Sequence, residues 1–521
     1  MELAIRKKSK LIILAFLSFL AACAFSWYWY TICHSKVFAI CALIASALIA
    51  LLVYIKGLGL LEDSSDVRTF SVVLTISSLV FCFAFPPMTV PDESHHYLAS
   101  YWIANIITGD TDSLSTGNIS MRHTDAQLDQ DWSTSDINYD SFKQVAEHFE
   151  VFNSDSCRDV VVHVDYDLGG ENLPTRIGTV AGIIFGRALN LGAYPVFYLG
   201  RMLNIILFVA LATISLKVIP FGRNVIACVC LLPMTLHLAA SYSYDAGIIG
   251  LALLLTSLLL RSIYNNNKIE KNEVIQIAVV SFLLCPCKVI YSVVLILAAF
   301  IPEKRFATKK AKIAILASLC AIAIISILLF RIPSILGLVS TSNNGFDTRG
   351  TEIGSFYTLK DIMSAPIDAL LMIIRTLIFY GDFYLKSLIG GNLGWLQANL
   401  EAPWFLIMLY IIILIASAQN DCNDTIVLST KTRIVFGLVF TASFIGAVMS
   451  MYLGWTFDTE TIIMGVQGRY ALPLLPIGLL ALRCKFIRID NRFFSLGITG
   501  ISVLNILYLI ALISCAIAPM A

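Results

Sequence analysis

The sequence predicts an all-α, polytopic membrane protein. Of its 521 residues, 58% are hydrophobic and only 14% are charged, and the mean hydropathy is +0.81. A soluble domain is usually about 45–50% apolar and about 25% charged. Uninterrupted apolar runs of about 18 residues or more indicate spanning helices, not the alternating pattern of a membrane β-barrel. We therefore expect a single integral membrane domain over residues 1–521 with roughly 11 to 13 membrane helices.

The charge distribution predicts the orientation of the chain in the membrane, but the net charge does not indicate a particular class of partner. The formal net charge is +1, which gives no reason to expect nucleic acid as a ligand. The basic segment 6–10 precedes the first apolar run and predicts a cytoplasmic N-terminus by the positive-inside rule. Predicted spans at 11–30, 37–55 and 70–86 then bring the chain to the extracytoplasmic side.

Residues 88–197 are predicted to form a large first extracytoplasmic loop. A helix is expected from Tyr97 to Ile107, a short strand at 160–164, and an interfacial or re-entrant helix at 176–197, where glycines interrupt the apolar pattern. Loops of this length without an obvious fold are uncommon and are often functional.

The second half of the chain continues as membrane helices with two predicted interruptions. Residues 274–301 lie between two basic segments, so two short helices meeting near Cys285-Pro286-Cys287-Lys288 are expected. Residues 331–402 are predicted to form a second extracytoplasmic region, in which 367–389 is a re-entrant or broken helix. The other predicted spans are 198–216, 224–240 with a kink at Pro233, 246–263, 312–330, 403–418, 433–452, 470–483 and 495–516.

The stretch from Pro91 to His96 contains two carboxylates and two imidazoles directly after a predicted span. One interpretation is a capped helix start, because proline suits the first turn and acidic residues complement the helix dipole. The other is a catalytic centre in which Asp92 or Glu93 is a general base and His96 orients it. Asp92, His95 and His96 could also bind a divalent cation such as Mg²⁺ or Mn²⁺, although further ligands would be needed.

Other polar residues stand at the predicted ends of spans, where ionisable groups often line a functional cavity. Each has a structural alternative: Asp245 could be a helix cap, and Arg201 and Lys288 could reach lipid head groups. Two glycines beside Arg469 would let the backbone approach a ligand whose phosphate the guanidinium could bind. The candidate substrate- or phosphate-binding residues are Arg469, Gln467, Tyr470, Arg201, Asp245, Arg349, Lys288 and Trp395.

Taken together, five motifs resemble a family of bacterial polytopic membrane proteins of unknown function that is placed in the GT-C glycosyltransferase superfamily. They are Pro91-Asp92-Glu93-x-x-His96, Ser243-x-Asp245, Lys288-x-x-Tyr291, Gly391-x-Leu393-Gly394-Trp395 and Gly465-Val466-Gln467-Gly468-Arg469-Tyr470-x-x-Pro473. They occur in the expected order over nearly the whole chain. Three predicted spans precede the acidic stretch, where the superfamily often has one.

This resemblance implies a GT-C-like enzyme in the inner (plasma) membrane of a bacterium, with its active face extracytoplasmic. Such enzymes transfer a sugar from a polyprenyl-phosphate donor, and an acidic residue of the first large loop acts as base. Here that residue would be Asp92 or Glu93. The implied partners are membrane lipid, the lipid-linked sugar and a glycan acceptor in the cell envelope.

Two other classes of function remain open. A transporter or flippase for lipid-linked glycans would use a midplane site and inverted repeats, and no repeat is evident in the sequence. A non-catalytic factor in envelope-glycan assembly would tolerate neutral substitutions of Asp92 and Arg469.

Overall fold

A computed structural model of the chain describes residues 20, 23, 66–109, 118–132, 137–152, 160–164, 168, 170–340, 356–394, 401–421, 426–484, 486–489 and 493–517. Predicted span 37–55, most of span 11–30, and the candidate residues Arg349 and Trp395 lie outside these ranges.

The predicted all-α fold class is confirmed. The α-helices are α1 Asp66–Ala84, α2 Glu93–Ile107, α3 His123–Trp132, α4 Tyr139–Glu147, α5 Leu173–Ala188, α6 Ala193–Val218, α7 Arg223–Cys230, α8 Pro233–Ala239, α9 Asp245–Tyr264, α10 Lys271–Leu284, α11 Lys309–Ser340, α12 Leu359–Ser364, α13 Pro366–Phe379, α14 Gly381–Ile389, α15 Trp404–Ser417, α16 Thr430–Trp455, α17 Leu475–Ala481 and α18 Phe493–Ile517. The 3₁₀ helices are Gly170–Asn172, Val289–Phe300, Glu303–Arg305 and Gly468–Leu474, and the short strands are β1 Asn118–Met121, β2 Val160–His163, β3 Asn420–Asp421 and β4 Arg488–Ile489.

Five of the described helices are long and apolar enough to cross a membrane: Val67–Ala84 of α1, α6, α9, Lys309–Arg331 of α11, and α16. Their burial differs. In α9, 89% of the apolar 18-residue stretch is buried, compared with only 17% in α11 and 28% in α16. Helix α9 is therefore central, and α11 and α16 present apolar faces that are available to lipid.

The predicted loop 88–197 contains more regular structure than expected. The predicted strand at 160–164 is confirmed as β2, which pairs antiparallel with β1 in a register that places Asn118 opposite His163. The predicted helix at 176–197 is instead two elements, α5 and the first turn of α6, separated at Gly192. The break requires glycine at this position, because a Cβ at Gly192 would overlap the carbonyl oxygen of Glu150.

The predicted interruptions in the second half are confirmed. Helix α10 and the 3₁₀ helix Val289–Phe300 meet at Cys285–Lys288, and α13 and α14 meet at Tyr380. The predicted kink at Pro233 is a full break, because α7 ends at Cys230 and a new helix begins at the proline. Helix α11 runs to Ser340, beyond the predicted end near residue 330, because the sequence after Arg331 remains largely apolar.

Several helix ends meet at one end of this bundle. They are the C-terminal end of α1, the N-terminal end of α9, the junction after α10, and the 3₁₀ helix Gly468–Leu474. The segment between α1 and α2 packs among them. The candidate site is built from these ends.

Candidate functional site

Asp92 lies just before the first residue of α2 with a left-handed backbone, at φ 61° and ψ 16°. Aspartate adopts this conformation more easily than most residues, but it still carries a conformational cost. Asp92 stands at the N-cap position, but its side chain makes no capping hydrogen bond. The carboxylate is 54% exposed and approaches Arg469, with Oδ2 at 3.3 Å from Nη2. The strained backbone therefore presents an accessible carboxylate to a cation.

Glu93, the next residue, has a completely different environment. Its side chain is fully buried and forms a two-bond ion pair with Arg201, at 2.9 Å to Nε and 2.6 Å to Nη2. The backbone N–H of Tyr242 donates to the same carboxylate at 3.1 Å. Three hydrogen bonds thus hold Glu93 away from solvent.

Arg201 is fully engaged by the protein. Beyond Glu93, its guanidinium donates to the carbonyl oxygens of Cys82 at 3.1 Å, Phe85 at 2.6 Å and Pro86 at 3.0 Å. All five N–H groups of the guanidinium therefore have acceptors. Two of those carbonyls follow the end of α1, so Arg201 and Glu93 together fix the turn that leads to Asp92.

Arg469 and Lys288 form an alternating row of charges with two aspartates. Arg469 lies between Asp92 and Asp245, and its Nε is 3.9 Å from Asp245 Oδ2. Lys288 Nζ donates to Asp245 Oδ1 at 2.7 Å. The row Asp92–Arg469–Asp245–Lys288 joins four segments that are distant in sequence, with Arg469 against the exposed carboxylate and Lys288 on the far side of Asp245.

Aromatic rings surround the lysine. Lys288 Nζ is 5.1 Å from the ring centroid of Tyr244 and 4.8 Å from that of Tyr470, which are cation–π distances. Tyr291 donates its hydroxyl to the backbone oxygen of Tyr470 at 2.8 Å. The backbone oxygen of Gln467 accepts the N–H of Tyr470 at 3.2 Å. These contacts fix the start of the 3₁₀ helix that carries Arg469.

A glycine determines where Arg469 lies. The N–H of Gly468 donates to Ser387 of α14 at 2.9 Å, and a Cβ at Gly468 would overlap the carbonyl oxygen of Tyr384. The backbone before Arg469 can therefore pack against α14 only with glycine at this position.

His96 lies behind Asp92 and is held by Arg176. Arg176 donates to the backbone oxygen of His96 at 3.0 Å, and its Nη2 is 3.3 Å from His96 Nδ1. The His96 ring also meets the Tyr244 ring edge-on at 4.8 Å. Burial, and secondly the positive charge of Arg176, hold the pKa of His96 well below its usual range. At neutral pH the imidazole is therefore uncharged and accepts from the arginine through Nδ1.

Arg176 was not identified from the sequence. It is 1% exposed, and its guanidinium lies 5.0 Å from the Tyr244 ring centroid. The signal that could have revealed it is a charged residue among the small and apolar residues of α5, since such a group needs a buried partner.

The proposed metal ligands do not form a metal centre here. Among the described residues, no group of three or more His, Cys, Asp or Glu side chains is placed to hold a metal ion. His96 Nδ1 faces Arg176, and His95 contributes a ring 5.5 Å from that of His96. The nearby guanidinium groups also oppose a divalent cation electrostatically, so these residues fit an anion better than a metal.

A cavity of about 240 Å³ adjoins the charged row. Its polar side is formed by Lys288, Tyr244 and Tyr470, together with Arg331, which pairs with Glu171 at 3.6 Å. Its other side is mainly apolar and includes Val289, Ile290, Ala447 and Met451. We call this the amphipathic cavity. It combines a polar end, where Lys288 and Arg331 are ion-paired with Asp245 and Glu171, with a wall contributed by the poorly buried helix α16.

The structure therefore brings together Asp92, His96, Asp245, Lys288, Arg469 and Tyr470, of which Lys288 and Tyr470 line the amphipathic cavity. Glu93 and Arg201 lie beneath them as a buried pair.

A family model described as a predicted membrane protein, DUF2142, matches residues 177–478, which is more than half of the chain. This range includes Asp245, Lys288 and Arg469 and leaves out Asp92. No curated protein and no solved structure matches the chain.

Proposed function

This chain belongs to the DUF2142 family of membrane proteins, and we propose that it is a glycosyltransferase of the GT-C type. It would transfer a sugar from a polyprenyl-phosphate donor to an envelope glycan or lipid-linked acceptor, at the extracytoplasmic face of a bacterial inner membrane. The observation that carries this proposal is the exposed Asp92 carboxylate held 3.3 Å from Arg469, beside the amphipathic cavity.

The cavity has the two properties that a lipid phosphate requires. Lys288 in the cavity lining and Arg469, next to the lining residue Tyr470, would supply positive charge for the phosphate, and arginine can bind phosphate oxygens through two parallel hydrogen bonds. The apolar wall from Val289 to Met451 would contact the first isoprene units. A phosphate would compete with Asp245 for Lys288, so Asp245 holds the lysine in place until the donor binds.

Asp92 is the proposed general base. The acceptor hydroxyl attacks the anomeric carbon of the donor sugar and gives its proton to Asp92, while the bond from that carbon to the phosphate oxygen breaks. The electron pair of that bond stays on the polyprenyl phosphate, whose developing charge Arg469 and Lys288 stabilise. Glu93 has a different role, because its buried pair with Arg201 orients the turn that carries Asp92.

Sugar transfer is tested with the purified full-length protein, membranes as the source of lipid-linked donor, and mass analysis of the glycan product. Asp92→Asn removes the base and is expected to reduce transfer by about two to four orders of magnitude. Unchanged transfer in Asp92→Asn would remove the catalytic assignment. A flippase or assembly factor would show no transfer activity in the wild type, whereas cells lacking the protein would still lose the surface glycan.

A further inference from the structure

A second and larger cavity, of about 810 Å³, lies on the other side of α16 from the amphipathic cavity. Its walls come from α12, α13, the last turns of α16 and the segment that follows α16. The side chains that matter below are Tyr357, Asp368, Arg375, Tyr452, Asp458 and Glu460. We call this cavity the acidic cleft.

The walls of the cleft are held together by contacts independent of any ligand. Phe356 stacks on Phe457 with centroids 4.8 Å apart and ring planes 15° apart. The Tyr357 N–H donates to Thr456 O at 3.2 Å, and its hydroxyl donates to Glu460 O at 3.1 Å. These bonds join the strand-like segment before α12 to the segment after α16. The cleft is therefore preformed, as small-molecule sites usually are.

The chemistry of the lining excludes one class of ligand and suits another. Among the described residues that line the cleft, four carboxylates (Asp361, Asp368, Asp458 and Glu460) face two cations, Lys360 and Arg375. This excess of negative charge disfavours a phosphate. Carboxylates accept hydrogen bonds from hydroxyl groups, Arg375 donates, and the half-buried ring of Tyr357, packed edge-on against the buried Tyr452, offers a surface for the C–H face of a sugar. A polyhydroxylated, uncharged ligand satisfies all three.

The cleft is linked to the candidate site through α16 and the chain that follows it. Tyr452 lines the cleft, while Ala447, Ser450 and Met451 on another face of the same helix line the amphipathic cavity. The two cavities are thus separated by about one helix diameter, roughly 10–12 Å. The segment 456–461, which contributes Asp458, Glu460 and Thr461 to the cleft, ends eight residues before Arg469. A ligand of several sugar units could bind in the cleft and extend towards Asp92.

We infer that the acidic cleft binds a neutral oligosaccharide, the acceptor chain of the transfer reaction. The identification of this ligand as the acceptor rests on the proposed function, but binding itself requires no chemistry at Asp92. The cleft and the amphipathic cavity would then divide the two substrates by charge, with the phosphate on the cationic side of α16 and the uncharged glycan on the acidic side.

The experiment measures binding without the donor. The probe is the pool of short neutral oligosaccharides released by mild acid from the envelope of the source cells, added to full-length protein in lipid nanodiscs and followed by saturation-transfer NMR. Asp368→Asn combined with Arg375→Gln removes two exposed polar groups of the cleft. The matched control is Asp140→Asn on α4, an exposed carboxylate that does not line the cleft.

The double variant should bind the probe about tenfold or more weakly, because hydrogen bonds to charged groups are lost, while the control binds as the wild type does. Asp92→Asn should retain binding although it loses transfer, which separates this inference from the proposed reaction. No binding by the wild type would overturn the inference. The inference would also be overturned if the double variant had an unchanged unfolding temperature and bound the probe as tightly as the wild type.

Discussion

The two adjacent acidic residues should respond oppositely to neutralisation. Glu93→Gln leaves the Arg201 guanidinium buried and without a countercharge, whereas Asp92→Asn alters a carboxylate that is 54% exposed. Removing one partner of a buried ion pair costs about 3–5 kcal/mol of folding free energy. An exposed pair contributes about 0–1 kcal/mol. The stability loss should therefore occur at Glu93 and the loss of transfer, without a comparable loss of stability, at Asp92.

The assay pairs two measurements on each variant in the same lipid micelles: denaturant unfolding followed by circular dichroism, and sugar transfer to the glycan acceptor. A double-mutant cycle with Arg201→Gln isolates the pair, because the double variant should lose less stability than the sum of the single variants. The reasoning would be refuted if Glu93→Gln were as stable as the wild type. It would equally be refuted if Asp92→Asn unfolded early while keeping its activity.

Three further predictions concern single positions. Lys288→Gln removes a positive charge that would stabilise the leaving phosphate. It should weaken polyprenyl-phosphate binding, measured by donor titration, and reduce transfer by about two orders of magnitude. A normal donor affinity would contradict this. Gly468→Ala should lower both stability and transfer, because a Cβ there would overlap the Tyr384 carbonyl oxygen, and unchanged activity would be inconsistent with that packing. Burial raises the pKa of Asp129 from 3.8 to about 6, although the Ser94 hydroxyl donates to it at 2.6 Å. A raised pKa stabilises the fold below about pH 4, and this contribution is lost as the pH rises through about 6. In unfolding titrations, the free energy of unfolding of Asp129→Asn should therefore rise relative to that of the wild type by up to about 3 kcal/mol between pH 4 and pH 7. A difference that does not depend on pH would exclude this.

The candidate functional segments stand out in the sequence because lipid tolerates few polar groups. Asp92, Asp245, Lys288 and Arg469 stand out in an apolar chain, since ionisable residues near a membrane need a partner or a cavity. The helix interruptions at Pro286 and near Tyr380 could also be predicted, because the charges of the flanking segments and the lengths of the apolar runs do not fit a single crossing.

The roles of neighbouring residues could not be read in this way. Asp92 and Glu93 have the same chemistry and adjacent positions, and one is exposed while the other is fully buried. Arg201 and Arg469 both follow apolar or glycine-containing sequence, and one has all its N–H groups satisfied by the protein while the other faces the exposed carboxylate. Arg176, which holds His96, was missed because nothing local connects two residues 80 positions apart.

The sequence by itself determined that the protein is a helical membrane protein and which polar residues required an explanation, because hydropathy and charge act locally along the chain. Only the tertiary structure decided that Asp92 meets Arg469 across 377 positions and that Glu93 is sequestered by Arg201. Those pairings depend on how helix ends pack against one another. Packing is a property of contacts between distant segments, which no local pattern specifies.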